Sequence, residues 1–206
     1  MRNWLASLPH RTFMPRAMLT PLLMRWATPL TLLAPAILML GGFVAMVVLE
    51  SLGAVECGRT SQLQLQFAWT QARMEAILGC WGEPGRAAVL RGLVADFVFI
   101  VGYAALLAVL SLRAGAALAV RGFPRWSEAG RFSVLAIIGA GFLDVVENLL
   151  VWAAIRGATE DPLAAAIGLL AGVKFVLAAG SVVFVASAGW VRLRSVRGGC
   201  SGSGNA

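Results

Sequence analysis

The chain has 206 residues, of which 59% are hydrophobic and only 13% charged, and its mean hydropathy is +0.81. That composition excludes an ordinary soluble domain and puts the chain in a bilayer. The formal charge of +7 does not point to nucleic acid, because the arginines sit in or near loops and tails and form no basic patch.

In chain order, residues 1–28 mix Arg2, Arg11, Arg16 and Arg25 with Trp4, Phe13, Leu22 and Trp26, and contain no acid. This pattern suits a basic, interfacial, cytoplasmic segment, and Pro9, Pro15 and Pro21 prevent one long helix. The same composition occurs on targeting peptides, and an organelle transit peptide stays open. A retained signal-anchor fits better than a cleaved signal, whose apolar region is only about 7–15 residues long.

Four apolar segments, at about 29–52, 88–112, 132–155 and 163–191, each reach the roughly 20 helical residues that cross a hydrocarbon core. They predict an all-α integral membrane protein, a four-helix transmembrane bundle over 29–192, followed by a Gly/Ser-rich cytoplasmic tail over 193–206 that is expected to be disordered. Arginines dominate the N-terminal tail, the loop holding Arg113, Arg121, Arg125 and Arg131, and the C-terminal tail. The positive-inside rule therefore puts both termini in the cytoplasm, with a bacterial inner membrane the expected location.

Between the first two spans, residues 61–81 predict an amphipathic helix on the outer surface or over the bundle mouth. Thr60 or Ser61 can cap it. Leu63, Phe67, Met74, Ile77, Leu78 and Trp81 form its apolar face, while Gln62, Gln66, Gln71 and Glu75 take other directions. Gly82, Pro84 and Gly85 then turn the chain into the second span. Cys57 and Cys80 fall in this loop, where an oxidising compartment would let them pair, whereas Cys200 lies in the inner tail. Later, Asp161 and Pro162 start the fourth span with an acid at the cap and proline at the first helical position.

The chain's one lysine, Lys174, interrupts an otherwise uncharged apolar run. An ammonium at that depth is costly without a counter-ion or water, so it marks a functional position. In the third span, Gly141, Asp144 and Asn148 share one helical stripe, with Glu147 at its edge. The second span adds Asp96 and Tyr103, spaced by seven, with Arg91 about a turn further out. Glu50 stands near the outer end of the first span. Counted inward at about 1.5 Å per residue, Asp96 and Glu147 lie roughly 9–14 Å deep and Asp144 and Lys174 roughly 15–18 Å deep, which predicts one cluster.

As ionised groups, Asp96, Asp144, Glu147 and Lys174 sum to minus two. That balance calls for a bound cation, a retained proton or Arg91. Small residues also mark span four, where Gly168 and Gly172 form a small-xxx-small pair suited to close helix packing. The single histidine, His10, lies outside the spans, so bis-His haem, ExxH di-iron sites and His-based zinc chemistry lack their ligands, and no cofactor or metal is expected.

Three functional readings follow. The first is a small ion- or proton-linked carrier or ligand-binding protein, in which Asp144 and Glu147 hold a proton or cation, Asp96 and Tyr103 line the path, and Lys174 is the counter-charge. A membrane enzyme acting on a lipid or apolar substrate is the second, with one carboxyl as general acid. The third is an assembly subunit whose buried charges pair helices. The lipid bilayer is the expected partner, with a second copy or another membrane protein beside it.

Overall fold

A computed structural model describes residues 30–53 and 61–199, with side chains through Arg194. Every regular element in it is helical: α1 (Leu30–Ser51), α2 (Gln62–Gln66), α3 (Gln71–Ala119), α4 (Arg125–Ile155) and α5 (Asp161–Gly199). Four of these are long and apolar enough to cross a membrane. α3, α4 and α5 run past the hydropathy-defined spans 88–112, 132–155 and 163–191 because helical hydrogen bonding does not stop where the apolar run does, whereas α1 stays within 29–52. The predicted segment 1–28 and most of the tail lie outside the described residues.

Sequential neighbours pack against each other: α1 on α3, α3 on α4, and α4 on α5, with α3 also touching α5. By contrast, α1 makes no substantial packing with α4 or α5. Its seam with α3 is a backbone contact. A Cβ on Gly102 would meet the Met39 backbone nitrogen at 2.2 Å, and one on Gly42 would meet that of Phe99 at 2.5 Å.

The helix expected over 61–81 is broken. Ser61 caps α2, its side chain accepting from the Leu63 N–H at 3.3 Å, but the helix stops after Gln66. At Trp69 the backbone takes φ 62°, and α3 begins only at Gln71. The reversal lays the Trp69 indole on Gly168 of α5, where a Cβ would come within 2.8 Å of the ring. A second break lies inside α3 at Gly82 (φ 55°, ψ −168°), a conformation glycine adopts without a side-chain penalty. Pro84 follows, and Arg86 Nε donates to the Leu78 carbonyl at 3.0 Å, giving an acceptor beside the break a partner.

Hydrogen bonds fasten this region to the α4–α5 turn. Gln71 N–H donates to Asp161 Oδ1 at 2.6 Å, and Glu75 Oε1 accepts from Gln71 Nε2 at 2.8 Å and from Thr159 Oγ1 at 2.9 Å. Both loops therefore occupy the same end of the bundle. Cys80, in the same segment, is disulfide-bonded; its expected partner, Cys57, lies outside the described residues.

Two apolar clusters flank a polar layer. Nearer the α2 end, Leu65, Met74, Leu78, Trp81, Val89, Leu93, Val151 and Ile167 are buried together. Deeper, Ile100, Tyr103, Ile137 and Ala140 form the second cluster. Between them, α3, α4 and α5 present Asp96, Asp144, Glu147, Asn148 and Lys174, all buried.

Candidate functional site

The polar layer exists because three helices bring their polar stripes to one level. On α4 the i, i+3, i+4 spacing points Asp144, Glu147 and Asn148 inward together. From α5, Lys174 reaches across to ion-pair with Asp144 and with Glu147, the latter at 2.7 Å from Nζ to Oε2. Tyr103 Oη donates to the other Asp144 oxygen, Oδ2, at 2.9 Å. Asp144 thus holds a lysine and a phenol at once, while Glu147 is fully buried behind the lysine. A buried pair of this kind offsets its desolvation only where additional hydrogen bonds satisfy the remaining lone pairs. Asp144 meets that condition better than Glu147, whose Oε1 has no hydrogen-bond partner.

Asp96 belongs to a second, amide-based branch. Asn148 Nδ2 donates to its Oδ2 at 2.8 Å, and Gln62 Nε2 donates to the same oxygen at 3.3 Å. Gln62 Nε2 also reaches Asn148 Oδ1 at 2.6 Å, which closes an Asp96–Asn148–Gln62 triangle. Glu50, half-buried at the end of α1, accepts the Gln62 backbone N–H at 3.3 Å and packs on Gly92, whose added Cβ would meet Glu50 Cγ at 3.0 Å.

Asp96, Asp144, Lys174 and Glu50 all line a cavity of about 430 Å³ between α1, α2 and the middle of the bundle. Gln62, Gln66 and Leu63 line it from α2, and Phe43, Met46, Val47, Phe99 and Phe175 supply its apolar lining. Phe43 and Phe99 meet at 6.0 Å between centroids, Phe99 and Tyr103 at 5.1 Å, and Phe175 stacks on Phe67 at 6.1 Å. The residues singled out in the spans thus fall in one region, except Arg91. That side chain is exposed and makes no ion pair with the cluster, so it does not supply the balancing charge. Among the described residues, Lys174 is the only cation in direct contact with these acids.

Sequence reasoning missed Gln62 and Gln66. Both were placed off the apolar face of a surface helix, yet they are only 4% and 3% exposed, while Leu63 and Phe67, expected to be covered, are 53% and 40% exposed. The break after α2 frees this turn to rotate its amides inward. A usable signal was present: acids in an apolar layer need donors, and the Gln pair at i, i+4 stands in the adjoining loop.

The chain matches no protein-family model, and no curated protein or solved structure matches it.

Proposed function

We propose that the chain is a multi-pass protein of a bacterial inner membrane, both termini cytoplasmic, that admits a cation, a proton or a charged ligand to this cavity. It works as a small ion- or proton-linked carrier or ligand-binding protein. On this reading α2 and the 71–81 segment cap the bundle on its outer surface. One observation carries the proposal: Asp96, Asp144 and Lys174 line an open cavity, and the cluster retains a formal excess of two negative charges. Charges that served only to pair helices would gain nothing from such an opening. Asp144 and Glu147 hold the proton or cation, Asp96 and Tyr103 line the approach, and Lys174 is the resident counter-charge.

The apolar lining that α1 and α5 give the cavity favours one other reading, an enzyme acting on a lipid or apolar substrate with a carboxyl as general acid. Asp144→Asn, Glu147→Gln and Lys174→Met, made singly, separate the cases in proteoliposomes carrying an interior pH dye. Lost pH-dependent flux in protein that still folds, with Lys174→Met the least stable of the three, is the expected result. Normal flux with an accumulating lipid precursor in cells would favour the enzyme, and lost folding alone would reduce the cluster to assembly.

A further inference from the structure

We propose that the cavity binds a primary-ammonium amphiphile, a cationic head bearing N–H donors joined to an apolar body. The inference rests on the reading of the cavity as a ligand site and names what enters it.

The hydrogen-bonding inventory comes first. Among the described residues, the buried side-chain polar atoms left without any partner are acceptors, the Oε1 oxygens of Gln62, Gln66 and Glu147, while Glu147 Oε2 faces the Lys174 ammonium. Gln62 and Gln66 line the cavity and are more than nine-tenths buried. The Gln62 amide cannot simply turn over to answer this, because its Nε2 is held by Asn148 Oδ1 and Asp96 Oδ2. Asp96 takes both of its hydrogen bonds on Oδ2, which leaves Oδ1 with accepting capacity. Acceptor-rich surroundings suit a ligand that donates.

Charge selects the sign. The charge of Lys174 is already balanced by Asp144 and Glu147, and an incoming anion would face Asp96 and Asp144 as well. A metal ion fits less well than an ammonium, since no group of three or more carboxylate, histidine or cysteine ligands converges among the described residues. Shape selects the rest of the molecule. Phe43, Phe99 and Phe175 line the space, and aromatic faces attract desolvated cations. Because α1 packs along α3 and not substantially on α5, the cavity lies between α1 and α5, two apolar helices whose side chains suit an apolar body. A volume of about 430 Å³ lies within the range of small-ligand sites.

Equilibrium binding of radiolabelled dodecylammonium to the full chain in nanodiscs, with empty nanodiscs subtracted, tests the proposal. Saturable binding is expected, displaced about tenfold less well by dodecyltrimethylammonium, which has no N–H to donate, and not displaced by decanoate or methylammonium. Asp96→Asn should weaken binding about tenfold or more. The headgroup series on the unaltered protein decides the matter even if that variant does not fold. Equal displacement by the quaternary amine, displacement by decanoate, or absence of saturable binding would overturn the inference. Proton flux through the same protein separates the two levels: flux that depends on Asp144 without amine binding removes only the ligand assignment, whereas loss of both removes the carrier reading as well.

Discussion

Lys174 shows how unequal two partners of one charge can be. Asp144 receives the ammonium on one oxygen and the Tyr103 hydroxyl on the other, whereas Glu147, fully buried, has the ammonium on Oε2 and no donor on Oε1. Removing one member of a buried pair strands the other, at about 3–5 kcal/mol. Lys174→Met is therefore expected to cost about 3 kcal/mol or more in thermal unfolding of the purified protein. Adding Glu147→Gln to Lys174→Met should return a larger share of that loss than adding Asp144→Asn, because the neutral amide removes the more poorly solvated charge. Equal recovery by both would show that the two carboxylates are equally well satisfied. Tyr103→Phe deletes a single hydrogen bond to a charged group, so a loss of about 1.5–3 kcal/mol with the fold retained is expected. A variant as stable as the parent would mean that the phenol and Asp144 do not interact.

Among the elements, α1 is held by glycine at a backbone seam. At Gly102 and Gly42 no Cβ fits without displacing the opposite backbone, while at Gly41 and Gly172 nothing lies within 4 Å. Gly102→Ala is thus expected to lower stability by about 1–3 kcal/mol through overpacking. Gly41→Ala should be nearly neutral under the same melting measurement. Equal effects would show that the seam is loose. The contrast also marks what was legible in the sequence. The four helices were, because each needs only a long apolar run, and so was the Asp96–Asp144–Glu147–Lys174 level, because helical phase and span depth fix it. The small-xxx-small pair was misread. Gly168 accommodates the Trp69 indole and not a helix backbone, and Gly172 meets no neighbour within 4 Å. That outcome depends on the positive φ at Trp69 and on the break that follows α2, both set by tertiary packing. No periodicity encodes them, and the inward amides of Gln62 and Gln66 were hidden for the same reason.

Across the whole molecule, the hydrogen bonds from Gln71 to Asp161 and from Thr159 to Glu75 place the α2 region and the α4–α5 turn at one end, and the Phe123 turn between α3 and α4 at the other. Geometry fixes which loops share a side, and the arginine distribution supplies the sign, since Arg113, Arg121, Arg125 and Arg131 flank the Phe123 turn. The two together predict that Thr159 faces outward and Phe123 the cytoplasm. Thr159→Cys and Phe123→Cys, each in a Cys200→Ser background that keeps Cys80 in its disulfide, turn this into a labelling experiment. A membrane-impermeant maleimide should modify Thr159→Cys in intact cells and Phe123→Cys only after permeabilisation. The reverse pattern would invert the protein and turn the cavity's α2 end toward the cytoplasm. Labelling of both positions in intact cells would contradict the shared-end geometry itself. Orientation matters to function because it decides which compartment the carboxylates of the polar layer lie closer to, and hence from which side a cation or proton would reach Asp96 first.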